Sequence, residues 1–233
     1  MKKFSVLILL IAHSFSILFA QDIKQDLLKI NNSHSVNEFY AEIDYKYFSG
    51  NTLTEETNAT HIQSNTNYYF KIKDLEILNN SKCQLMINHF LKTISVMPPG
   101  SNNNYQNIAK IPIDSTLKGV KSYSYKKINE KEGKYSISLK KGEYKTIEIY
   151  FNSKNYSVSK LKMYVSDFYA AQDPDMAGGI LEITYKTFKK TIPSEKRKLL
   201  NESSFIKMVK ENVHLTSSYK NYELNDYLNI KPE

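Results

Sequence analysis

The sequence predicts a β-rich α+β protein: a curled antiparallel sheet, open as a half-barrel, with a few short helices on its concave face. Three observations point there. From Glu38 to Tyr185 apolar residues recur at every second position in one segment after another. Short clusters of Asn, Ser, Lys and Gly separate these segments, as turns require. Beyond the first 20 residues only three segments carry helical spacing instead, and each is short.

The chain opens with an export signal. Met1-Lys2-Lys3 supplies a positive start, residues 4–19 an apolar run broken by His13 and Ser14, and Leu18-Phe19-Ala20 a small residue at the cut. The run is shorter than the ~20 apolar residues a spanning helix needs, which favours cleavage near Ala20 over anchoring. No Cys lies at the cut, so lipid attachment there is not expected, and no later segment is long and apolar enough to span a membrane. The expected organisation is a signal peptide over 1–20, a curled-sheet domain over 21–190 and a helical or irregular extension over 191–233. The expected location is the periplasm.

Residues 22–31 read as a helix, with Ile23, Leu27, Leu28 and Ile30 towards one side. From Glu38 the period becomes two, and Phe39, Ala41, Ile43, Tyr45 and Tyr47 alternate with Glu42, Asp44 and Lys46. Further strands carry Tyr68, Phe70 and Ile72; then Cys83, Leu85 and Ile87; then Ile94 and Val96. Pro98-Pro99-Gly100 and a run of Asn interrupt them, and residues 112–120 read as a second helix with Leu117 and Val120 as its apolar contacts. Four more strands carry Tyr135, Ile137 and Leu139; Ile147, Ile149 and Phe151; Leu161, Met163 and Val165; and Leu181, Ile183 and Tyr185. Residues 194–211 read as a third helix through Leu199, Leu200, Phe205, Ile206 and Val209.

Composition narrows the function. The 233 residues carry a formal charge of +8, of which Lys2 and Lys3 belong to the signal. The remaining lysines alternate along strands rather than clustering, so solvated faces are expected and nucleic acid is not. The single Cys, Cys83, sits in an alternating apolar run and reads as a small core residue. His13, His34, His61, His89 and His214 lack metal-ligand spacing. Asp173-Pro174-Asp175 offers too few regularly spaced oxygens for calcium and reads as a turn. No nucleophile motif or phosphate loop is present, so no enzyme activity, cofactor or metal is expected.

About ten strands at ~4.8 Å spacing make a sheet roughly 48 Å wide. Three short helices, each about 10 Å across, roof roughly 30 Å at best. The surplus apolar face is either closed off by curling or left as an apolar hollow, and strand count alone leaves both open. Residues expected to line such a hollow are Ile43, Tyr45, Phe70, Ile72, Leu85, Ile87, Ile94, Ile137, Ile147, Ile149, Leu161 and Met163.

The order of helix, strands, helical interruption and further strands over residues 22–190 resembles the LolA/LolB-like lipoprotein-carrier superfamily. The stretch from Lys145-Thr146-Ile147-Glu148-Ile149-Tyr150-Phe151 through Asn152-Ser153-Lys154-Asn155 to Leu161-Lys162-Met163-Tyr164-Val165 is similar to the family's strand, polar turn and strand. Asn67-Tyr68-Tyr69-Phe70 and Thr93-Ile94-Ser95-Val96 look like earlier strands of that pattern. The resemblance implies a periplasmic carrier that shelters the acyl chains of a lipid or lipoprotein. Burying one methylene is worth about 0.8 kcal/mol, so a sixteen-carbon chain could gain on the order of 12 kcal/mol before costs. The family's inward-facing Arg on an early strand has no match, because Arg197 is the only Arg. The competing reading is a non-enzymatic envelope interaction protein with a filled core. It would dock a protein partner through its sheet edge or through Tyr40, Tyr69, Tyr150, Tyr164, Tyr219 and Tyr222.

Overall fold

In the computed structural model, residues 23–34, 36–101, 119–172, 177–209 and 212–228 are described. The expected signal, nearly all of the expected helix over 112–120 and the Asp173–Asp175 cluster lie outside them.

One helix, α1 (Ile23–His34), precedes six strands: β1 (Glu38–Ser49), β2 (Thr52–Ser64), β3 (Asn67–Ile72), β4 (Leu75–Asn79), β5 (Gln84–Asn88) and β6 (Thr93–Met97). A second series follows: β7 (Val120–Lys127), β8 (Glu132–Leu139), β9 (Tyr144–Asn152), β10 (Val158–Val165), the single-turn helix α2 (Asp167–Ala170) and β11 (Gly179–Lys189). The remainder is α3 (Ser194–Arg197), three 3-10 turns, the hairpin β12 (Ile206–Val209) and β13 (Asn212–Leu215), and β14 (Glu223–Asp226).

Twelve strands form one curled sheet, in the order β14-β6-β5-β4-β3-β2-β1-β11-β10-β9-β8-β7, that does not close into a barrel. Two antiparallel meanders, β1 to β6 and β7 to β11, meet along the long β1–β11 pair. The only parallel pair among the described strands is β14 on β6. Such a sheet is roughly 55 Å across, whereas α1 is about 18 Å long and 10 Å wide, so α1 can cover only about two to four strands.

Residues directly opposite one another in the register share a face of the sheet, and the two meanders bury their faces differently. The face that carries α1, the helix face, holds Tyr135, Phe151, Ile149 and Leu161, which pack with Ile23, Leu27 and Ile30. The helix forms because Ile23, Leu27, Ile30 and His34 recur at helical spacing and are all buried; Leu28, expected on the same side, is instead exposed. Four polar contacts fasten α1 to β8 and to the connection from β9 into β10. Tyr135 donates to Asp26 Oδ2 at 2.7 Å, Ser33 Oγ to the Tyr156 carbonyl at 2.9 Å, and Lys29 Nζ to the Tyr156 hydroxyl at 3.3 Å. The Val158 amide donates to His34 Nε2 at 2.8 Å. Tyr135, Phe151 and Tyr156 stack beneath the helix. Gly133 leaves the room for this stack, because a Cβ there would come within 3.0 Å of the Phe151 and Tyr125 rings.

On the first meander the opposite face is also buried. Tyr40, Ile62, Tyr69, Leu78, Leu85 and Val96 stand in one cross-strand row. Phe205, Ile206, Leu199, Leu200 and Leu215 of the C-terminal segment cover them. This is the tail face. The segment is pinned by charge as well. Glu202 accepts from Asn80 Nδ2 at 2.8 Å and from Lys82 Nζ at 2.5 Å, and Arg197 Nη2 meets Glu38 at 2.5 Å. The expected helix over 194–211 is confined to Ser194–Arg197. Asn201 adopts an extended conformation and its side chain accepts from the Ser203 amide, which restarts the chain as a 3-10 turn before β12. The apolar residues that suggested one helical side reach a common core from separate turns and a strand.

Candidate functional site

On the second meander, two rows of apolar side chains cross the helix face side by side. Tyr135, Ile149, Leu161, Ile183 and Tyr45 oppose one another through β8, β9, β10, β11 and β1. One step along the strands, Ile137, Ile147, Met163, Leu181 and Tyr47 do the same. Helix α1 roofs the first row: Tyr135, Ile149 and Leu161 are buried beneath it. The second row emerges from the helix. Ile137 is buried, but Ile147, Met163, Leu181 and Tyr47 are only half-buried. Met163, Leu181 and Tyr47 join none of the three buried clusters. Burial raises the Tyr45 hydroxyl to about 12, as expected for a phenol set among apolar neighbours.

The strip continues past Ile137 to Leu139, at the end of β8. There a cavity of about 380 Å³ opens, walled by Leu139, Tyr144 and Phe168 and bordered by Lys140, Lys141 and Lys145. Gly142 has φ +127, a conformation that favours glycine, and the turn is tied down by Ser166. The Ser166 amide donates to the Glu143 carbonyl and its Oγ to the Gly142 carbonyl, both at 2.7 Å. Lys145 pairs with Asp167 at 3.0 Å.

The other face of the same strands is wet and charged. Glu56, Lys46, Glu182, Lys162 and Glu148 line up across β2, β1, β11, β10 and β9. Ion pairs at 3.0 Å (Lys46–Glu56), 2.9 Å (Lys162–Glu182) and 2.6 Å (Lys134–Glu148) run through them. Opposed charges suit neighbouring strands, and an apolar guest has no footing there.

The residues expected to line a hollow therefore divide. Tyr45, Ile137, Ile147, Ile149, Leu161 and Met163 lie together in the two rows. Ile43 and Phe70 share the helix face but are buried further along the sheet, and Ile72 borders a shallow depression of about 450 Å³ with Leu75 and Phe90. Leu85, Ile87 and Ile94 stand on the tail face, fully buried against the C-terminal segment, and do not meet the others. Leu181 and Tyr47 complete the second row, and Leu139, Tyr144 and Phe168 the end cavity. The strand alternation carried the signal for Leu181 and Tyr47. The cavity depended on how the β8–β9 turn meets α2.

The tyrosines considered for docking are engaged inside the protein. Tyr40 and Tyr69 are buried, Tyr219 and Tyr222 pack on the tail-face core, and Tyr150 and Tyr164 donate to Glu148. Among the described residues no group of three or more His, Cys, Asp or Glu is placed to hold a metal ion, and no helix is long and apolar enough to cross a membrane.

No protein-family model and no curated protein matches the chain. Solved structures do align with it. An uncharacterized conserved protein from Thermus thermophilus aligns at 8% identity and TM-score 0.45, covering 88% of this chain and 99% of that one. A LolA superfamily protein from Nitrosomonas europaea aligns at 9% identity and TM-score 0.35, covering 79% and 100%. LprF from Mycobacterium bovis aligns at 10% identity and TM-score 0.43, covering 73% and 94%.

Proposed function

We propose that this chain is a non-enzymatic carrier of the bacterial envelope, exported by its N-terminal signal, that holds the acyl chains of a lipid or lipoprotein against the helix face of β8–β11 and β1. The observation that carries this reading is the half-buried second row. Ile147, Met163, Leu181 and Tyr47 form a contiguous apolar strip beside α1, on a sheet whose reverse side is an ion-pair ladder. Side chains of this kind at an element's edge are satisfied by an apolar partner, and a strip several strands long fits a hydrocarbon chain better than a compact ligand. The role needs shape and dryness rather than a reacting group, which agrees with the lack of a catalytic motif in the sequence.

Native mass spectrometry of the protein purified from an envelope fraction tests the reading. A co-purifying lipid, together with uptake of a fluorescent fatty acid that Met163→Asp abolishes, supports it. A clean apo mass with no fatty-acid uptake overturns it, and favours the interaction-protein reading.

A further inference from the structure

Resting on that carrier reading, we infer that the cavity at the β8–β9 turn selects the head of the cargo: this site takes a single acyl chain with an anionic head group, its head at Lys140 and Lys141 and its tail running from Leu139 onto Ile147 and Met163. Three features combine here. The cavity of about 380 Å³ is walled mainly by carbon, from Leu139, Tyr144 and Phe168, within the volume range of small-molecule sites. Phe168 is 71% exposed although it belongs to a short helix fixed to the turn through Ser166, so its ring stands at the cavity edge without a covering partner among the described residues. Lys140 and Lys141 form no ion pair among the described residues, whereas Lys145 is held by Asp167. One carboxylate, Glu143, lies in the same turn and opposes them in part.

The chemistry of such a rim is specific. An apolar wall alone accepts an alcohol, an ester or an acid alike. Two ammonium groups beside it, without an ion pair among the described residues, favour an anion and disfavour a cation, and salt screens the difference. The cavity sits at the open end of the second row, because Ile137 and Leu139 point to the same face of β8. A head bound there leaves its chain aligned with the strip. The charged head stays in water at the turn while the methylenes are sheltered, an arrangement that avoids burying an unpaired charge.

The test compares dodecanoate, dodecyl phosphate, dodecanol and dodecylammonium below their micellar concentrations, by displacement of a neutral fluorescent probe from the full mature chain. The two anions are expected to bind five- to tenfold more tightly than dodecanol in low salt, and dodecylammonium more weakly. The Lys140→Glu/Lys141→Glu double variant, at positions outside the core, should remove the advantage, so that the two anions bind no more tightly than dodecanol. A preference for one anion identifies the head as carboxylate or phosphate. Equal binding of anions and dodecanol, or an unchanged preference in the double variant, overturns the head-group inference while leaving the carrier reading intact. Failure of all four to bind overturns both.

Discussion

The Tyr135 hydroxyl donates to Asp26 Oδ2 at 2.7 Å, joining the middle of β8 to the first turn of α1 across 109 positions of sequence. Both groups are buried, so the bond decides where the helix rests and how much of the apolar face it leaves open.

Tyr135→Phe removes that donor and leaves a buried carboxylate short of a partner. A cost of about 1–3 kcal/mol is expected. Loss should be local before it is global, so amide exchange in α1 should quicken more than exchange in β3–β5. Urea titration and hydrogen exchange read the two effects separately.

His61 supplies a pH dependence. Its ring lies between Phe39 and Phe70, and neither nitrogen has a hydrogen-bond partner among the described residues. Burial lowers it to about 4. His34 is lowered to about 4 as well, by burial and then by the charge of Lys190. In both cases the unfolded chain takes up its proton near pH 6.5 and the folded chain only near 4. Their contribution is therefore fully present above pH 6.5 and is lost as pH falls towards 4, by on the order of 3 kcal/mol per histidine. His61→Leu should flatten about half of the decline between pH 7.5 and 5, measured by urea midpoints. This window lies above the range where the low-lying carboxylates of Glu76, Glu148 and Glu202 begin to protonate.

Phe205 and Cys83 share the tail-face core, and Phe205 stacks on Tyr69 with the ring planes 17° apart. Burial, then the charge of Glu202, pushes the Cys83 thiol up to about 12. Folded protein at neutral pH should thus react with a disulfide reagent only on unfolding. Phe205→Ala should cost about 3–5 kcal/mol and make Cys83 react under native conditions. Thiol labelling of the two proteins at equal temperature checks both points.

Period-two alternation made β1, β3, β5 and β8–β11 legible, because one face of each strand meets a core. It did not disclose β2, which is exposed almost throughout from Thr52 to Asn58 and becomes buried only from Ala59 onward, β4, or β7, whose residues are exposed along almost their whole length. Alternation also sorts residues within a strand without saying which side of the sheet a strand's apolar set faces. Leu85 and Met163 carry the same pattern, yet one lies under the C-terminal segment and the other beside α1. Tyr68, Tyr69 and Phe70 are buried in succession because the first meander is covered on both faces, which alternation alone does not register. The end cavity left no such trace, because Leu139 and Phe168 are brought together by a turn and a single helical turn.

Methyl-labelled methionine resonances test the central claim most directly, since Met163 lies in the proposed strip and Met208 packs on the tail-face core. Titration with dodecanoate should shift or broaden the Met163 methyl signal, saturate at one equivalent and leave Met208 unmoved. A Met163 signal that stays in place while ligand binds elsewhere, or a Met208 signal that moves in its stead, would contradict the account.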